Sequence, residues 1–284
     1  MIYRIENESM FAEIDSLGAQ LCRVFDKKRD RDVLWRGDEK IWPGKSPLLF
    51  PIVGRVKNDA YKVKGVEYHL PMHGFARRRE FAVQAEDARA CFTLRYDEES
   101  LKVYPFRFEL RLDYRLEGAT LYTDYSVTNL DSDEILFSIG AHPGFLCANG
   151  DRLIFDENET LMRRVIDAET HTLLPGGEPC LNNEREIILH GSLFSRDAMV
   201  FEEPASAGMK LVRADGSGVH MDFGGAPCLG IWSKPLEELK YVCIEPWFGG
   251  DDPIGHNGNF EDKPYVERLG EGCEFKWTVA VEIF

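Results

Sequence analysis

The clearest pattern along the chain is a strict alternation: Phe106, Phe108, Leu110, Leu112, Tyr114 and Leu116 are apolar, and Arg107, Glu109, Arg111, Asp113 and Arg115 lie between them. Successive side chains of a strand leave opposite faces, so this segment predicts a strand with one face in a core and the other in water. The C-terminal segment repeats the pattern. Phe275, Trp277, Val279, Val281 and Ile283 fall on one face, with Glu274, Lys276, Thr278 and Glu282 among the residues opposite. Residues 121–127 alternate again, and Glu117-Gly118-Ala119 before them reads as the turn of a hairpin, which makes a meander rather than a βαβ unit.

Gly176-Gly177, Gly216-Ser217-Gly218 and Gly224-Gly225 break the second half at short intervals, and no window there sustains a helical apolar period beyond a few turns. Helix is confined, on this reading, to short connectors at 37–42, where Asp38 caps a turn, and in the stretch after Asn158. The predicted fold class is all-β: a large antiparallel β-sandwich, two sheets face to face, with one concave sheet left to hold a ligand. A chain of 284 residues without a low-complexity tract or linker is expected to form a single domain over 1–284.

Charge narrows the partners. With 34 Lys+Arg against 49 Asp+Glu the net charge is −15, a surface that repels nucleic acid. The N-terminal residues Ile2-Tyr3-Arg4-Ile5-Glu6 meet charge before any signal-length apolar run develops, and no later segment approaches a membrane span, so a cytoplasmic protein without a membrane partner is expected. Seven scattered cysteines with no C-x-x-C pair suggest neither a disulfide framework nor a zinc site. Oligomerisation beyond a monomer or weak homodimer is not expected.

Four segments are too rich in Gly, Pro, His and charge to be ordinary strands: Phe50-Pro51-Ile52-Val53-Gly54-Arg55, Leu70-Pro71-Met72-His73-Gly74-Phe75-Ala76-Arg77, Gly140-Ala141-His142-Pro143-Gly144-Phe145 and Cys243-Ile244-Glu245-Pro246-Trp247 through Asp252. Glycine beside a functional side chain lets backbone approach a ligand, and proline fixes the direction of the chain. Taken singly, His73 or His142 is more often a hydrogen-bonded turn residue than a catalyst. Glu245 differs, because it ends the apolar run from Tyr241 to Ile244, and a carboxylate there needs a partner or a purpose. Anomer interconversion supplies a reason for the set: one base takes the proton of the C1 hydroxyl of a cyclic sugar while one acid protonates the ring oxygen, with no redox cofactor. A partly desolvated carboxylate suits the base, and an imidazole whose pKa is raised by that neighbouring charge suits the acid.

In order and over nearly the whole chain these segments resemble the motifs of the aldose 1-epimerase (galactose mutarotase-like) superfamily, in particular its short bacterial branch. The resemblance implies a large β-sandwich and an isomerase without a cofactor. It makes Glu245 the general base and His142 the general acid; His73 would hold the ring oxygen or hydroxyls, Arg55 would bind hydroxyls, and Asp197 matches the sugar-binding aspartate. Pro143 and Trp247 stand where galactose mutarotases tend to carry an aromatic and a glutamine, so galactose itself is not implied. His73-Gly74-Phe75-Ala76-Arg77 also resembles the hexose-6-phosphate mutarotase branch, in which Arg77 would contact phosphate. Free sugar is favoured, with a sugar phosphate and a non-catalytic carbohydrate-binding protein as alternatives. Asp251, Asp252 and Asn257 fit no EF-hand spacing, and no metal is expected.

Overall fold

The alternating segments form the middle of the largest sheet. In a computed structural model describing residues 1–284, 51% of the chain is strand and 7% helix. Strands Phe108–Glu117, Thr120–Asn129 and Glu274–Ile283 lie side by side and antiparallel, with Tyr125 between Leu112 and Trp277. Gly118 turns the first hairpin at φ 57°. The sheet extends to nine strands, and its inner face carries the predicted row of Phe108, Leu110, Leu112 and Tyr114 together with Trp277 and Val279, all buried.

A second, five-stranded sheet is built from Ile139–Gly140, Gly144–Leu146, Met199–Glu202, Cys228–Trp232 and Tyr241–Phe248. Tyr241–Phe248 is buried almost throughout, because both of its faces are covered. Val242 and Ile244 join the main apolar cluster that contains Leu112 and Val279, and Phe248 meets Phe275 and Trp277 edge to face at 5.1 and 5.5 Å. The odd-numbered residues point the other way: Tyr241 and Cys243 pack with Trp35, and Trp247 packs with Leu49 and Val53, in separate clusters. The two sheets therefore form the expected sandwich, and the outer face of the smaller one supports the ligand cavity described below.

Helix positions differ from expectation. The stretch after Asn158 lies within the strand Arg152–Arg163, which pairs with Glu178–Ile188 and Gly208–Val212. Register shifts between Ile154 and Glu159, and again at Thr160 and Met162, interrupt its alternation, which hid the strand in the sequence. Residues 37–42 form a turn closed by an Asp38–Trp42 bridge, with Asp38 Oδ1 accepting the Lys40 N–H at 2.7 Å. The α-helix is Glu98–Val103, started by a capping box in which Asp97 accepts the Ser100 N–H and Ser100 accepts the Asp97 N–H. No helix is long and apolar enough to cross a membrane.

Candidate active site

Alternation along Tyr241–Phe248 sends Glu245 and Trp247 outward, into a cavity of about 300 Å³. Space for them comes from missing side chains on the flanking strands. Gly230 is the cross-strand partner of Glu245, and Gly140 that of Trp247; a Cβ on Gly230 would overlap the indole, and one on Gly140 would lie 2.6 Å from it. All six residues singled out in the sequence, Arg55, His73, Arg77, His142, Asp197 and Glu245, line this one cavity.

His142 Nε2 and Glu245 Oε1 are 3.3 Å apart, and the two side chains are only 10% and 2% exposed. Trp42 stacks on the imidazole at 5.3 Å, and the edge of Trp232 meets it at 5.9 Å. Gly144 permits that stack, since a Cβ there would stand 2.9 Å from the Trp42 ring. Such surroundings solvate charge poorly. Burial pushes Glu245 well above the usual carboxylate range, aided by the charges of Asp197 and Asp251, with the Trp247 indole pulling the other way. Burial likewise lowers His142 to about 3, against the expectation that the neighbouring carboxylate would raise it. Both shifts disfavour charge on the two groups, and their 3.3 Å separation brings a carboxyl and an imidazole within reach of one proton.

His73 is held by its own neighbourhood. Its backbone sits at φ 64°, its N–H donates to Gly54 O at 2.8 Å, and its Nδ1 accepts the Gly54 N–H at 3.1 Å. Gly74 beside it has φ 69° and lies so close to the Phe50 carbonyl that a Cβ would overlap it, which explains the His-Gly pair. Burial holds His73 neutral, its pKa well below 6.5, and an accepting Nδ1 places the proton on Nε2. His73 is therefore a fixed neutral donor, 5.8 Å from His142 ring to ring.

Arg55 pairs with Asp59 at 3.0 Å and Arg77 donates to the Met72 carbonyl at 2.8 Å, leaving the Nε of each without a partner. Together with His142 Nδ1 and Trp247 Nε1, four buried polar atoms of cavity-lining residues lack partners. Asp197 is exposed, at φ 69°, and its Oδ1 accepts the Ala198 N–H at 2.8 Å. Trp42 and Trp232 also line the cavity, as do Trp247 and Asp251, which the sequence offered only as a departure from the galactose pattern and as part of a rejected metal site. Trp247 had a signal in its place after Glu245-Pro246, whereas Trp42 and Trp232 arrive by loop reach and strand register. His142, Cys243 and Glu245 bring ligand atoms within 4.8 Å of one another, as a soft divalent ion requires, but burial raises the Cys243 thiol and opposes the thiolate such an ion prefers.

A donor-rich cavity with aromatic walls and a carboxyl beside an imidazole has the groups needed to open a cyclic hemiacetal. A profile of the aldose 1-epimerase family matches residues 1–260. The plasmid-encoded protein LacX of Lactococcus lactis is 32% identical over 285 residues, covering 95% of each chain. Among solved structures, the galactose mutarotase related enzyme from Lactobacillus acidophilus superposes with a TM-score of 0.93 at 32% identity over 100% of this chain and 97% of that one. A galactose mutarotase-like protein from Lactobacillus casei gives 0.91 at 26%, over 100% of both. Motif order, sandwich architecture and these likenesses agree: the chain belongs to the aldose 1-epimerase family.

Proposed function

We propose that the protein interconverts the α and β anomers of a free aldose in the cytoplasm, as a single domain and a monomer or weak homodimer. The observation that carries this reading is the buried Glu245–His142 pair, 3.3 Å apart in a cavity that disfavours charge on both groups. The pair works with one proton between its two groups, and its carboxyl and imidazolium forms differ only in where that proton sits. With the proton on His142, Glu245 takes the proton of the C1 hydroxyl; the freed electron pair forms the C1 carbonyl as the bond from C1 to the ring oxygen breaks. His142 gives its proton to the ring oxygen. Rotation about C1–C2 and reversal of the same steps on the other face close the second anomer. The pair begins and ends with one proton, so no cofactor is consumed. His73 Nε2–H and the Arg55 guanidinium donate to sugar oxygens, and the indoles of Trp42 and Trp232 wall the ring.

A second reading, a sugar 6-phosphate as substrate, is favoured by Arg77, whose guanidinium belongs to a residue lining the cavity and suits an anion. Against it, Asp197 and Asp251 lie in the same lining and Arg55 is already paired with Asp59 at 3.0 Å. Polarimetry on freshly dissolved α-D-glucose and α-D-galactose, with coupled assays of their 6-phosphates, separates the readings. Faster relaxation of a free sugar supports the proposal. Acceleration confined to the phosphates would transfer the assignment to the second reading, and sugar binding in calorimetry without any acceleration would make this a binding protein.

A further inference from the structure

Beyond Glu245 the chain runs into two consecutive aspartates that face different ways. Asp251 lines the cavity. Its Oδ1 accepts the Arg55 N–H at 2.7 Å, and its carboxyl fills the space left by the missing side chain of Gly54, where a Cβ would overlap it. Oδ2 accepts no hydrogen bond from the protein, and the residue is only partly buried where it lines the cavity.

Asp252 turns inward. Its Oδ1 takes the Lys263 ammonium at 2.9 Å, and its Oδ2 takes the Lys57 N–H at 2.9 Å and lies 3.1 Å from His256 Nδ1. Its own N–H donates to the Arg55 carbonyl at 3.1 Å, which also receives Lys263 Nζ at 3.3 Å. Lys263 is fully buried. The segment carrying Gly54 and Arg55 is thus gripped through the Arg55 N–H, the Arg55 carbonyl and the Lys57 N–H. Because Gly54 in turn holds His73 at both Nδ1 and backbone, the grip reaches that histidine as well.

We propose that Asp251 binds substrate, its Oδ2 accepting a hydroxyl of the sugar, and that the buried Asp252–Lys263 pair is the device that positions it. This rests on the reading of the cavity as a sugar site. A carboxylate is a stronger acceptor for a hydroxyl than a neutral amide, and in a cavity poor in water the difference is about ten- to a hundredfold in affinity. Geometry fits the role: one oxygen is anchored, so the other has a fixed direction.

Burial pushes Asp251 up to about 6, with the Lys263 ammonium and the Arg55 N–H pulling the other way and the charges of Asp197 and Asp252 adding to the rise. Glu245, which Asp251 itself raises, faces it across the cavity, and Arg55, His73 and Arg77 complete the titratable surroundings. Asp251 is therefore ionised above about pH 6 and loses its charge as the pH falls through that value. Removing the Lys263 charge would move that loss to higher pH.

The test is calorimetric binding of 1,5-anhydro-D-glucitol and 1,5-anhydro-D-galactitol, ring analogues without an anomeric hydroxyl, which read binding separately from turnover. Asp251→Asn keeps an acceptor for the Arg55 N–H and should weaken the better analogue about tenfold or more at pH 7.5, with the gap closing by pH 5. Lys263→Met should shift the pH at which affinity falls upward by about one unit or more. Where that variant does not fold, Asp252→Asn/Lys263→Met, which leaves no unpaired charge, replaces it. Asp251→Asn binding within twofold of wild type, a gap that does not change with pH, or a wild type that binds neither analogue would overturn the inference, and an unmoved profile in the folded lysine variant would remove the positioning role. A wild type that binds the analogues yet accelerates no aldose would sink the proposed reaction and leave the binding role of Asp251 standing.

Discussion

Glu245 and Asp252 are both almost sealed from solvent, at 2% and 1% exposure, yet their surroundings are opposites. Asp252 has an ammonium at 2.9 Å, an imidazole nitrogen at 3.1 Å and a backbone N–H at 2.9 Å. Glu245 has no cation: its partner is a neutral histidine, and its walls are indoles. Removing a charge from water costs several kcal/mol unless a partner offsets it. Asp252 meets that cost with contacts and becomes part of the scaffold. Glu245 does not, so burial raises its affinity for a proton, as a general base requires. The missing partner, rather than burial, distinguishes the reactive carboxylate from the structural one.

The comparison can be broken at either end. Lys263→Met strands Asp252 without its cation and should cost about 3–5 kcal/mol in a denaturant melt, the range for breaking a buried pair. Glu245→Gln removes a carboxyl that no Lys or Arg holds and should stay within about 1 kcal/mol of wild type in the same melt; equal losses in the two variants would erase the distinction. Turnover should respond in the reverse sense. Glu245→Gln and His142→Asn should each lower it by roughly a hundredfold or more, the contribution of a general base or acid, in proteins whose circular dichroism is unchanged.

Gly230→Ala tests the space beside Glu245. The added methyl overlaps the Trp247 indole and should destabilise by about 1–3 kcal/mol, with a change in tryptophan fluorescence; a variant with wild-type melting and emission would show that the indole has room to move.

The smallest effect is on pH dependence. Activity should decline below about pH 6 as Asp251 gains a proton, and further as the Glu245–His142 pair takes up a second proton toward the His142 value of about 3. It should decline again at high pH, when the pair loses its one proton from a carboxyl held well above 4.5. A rate that is flat with pH after subtraction of the spontaneous reaction would contradict the shared proton.

Strands with one wet face were legible because alternation writes them directly: Phe108 to Leu116 and Phe275 to Ile283 are read correctly from polarity alone. The strand Arg152–Arg163 was not, because its bulges put the apolar positions out of step. The cavity's chemistry was half legible. Histidine beside glycine, and glutamate at the end of an apolar run, mark places where backbone and charge break the local rules, and they mark them without structure. Trp232 carries no such mark, and Asp251 lies in a marked segment with nothing in it to show a sugar-facing role. Trp232 belongs to the site through its pairing opposite Cys243, and Asp251 through its contact with the Arg55 N–H, relations that exist only once distant segments meet. The protonation of His142 was misjudged for a related reason: sequence places a carboxylate nearby but does not show the indoles that exclude water from both groups.

The account stands on the claim that the Glu245–His142 pair opens the sugar ring. Its most direct test is the polarimetric relaxation rate of a freshly dissolved α-aldose with wild type and Glu245→Gln at equal concentrations. The account predicts acceleration by wild type and a loss of roughly a hundredfold or more in the variant. Equal acceleration by both would contradict it.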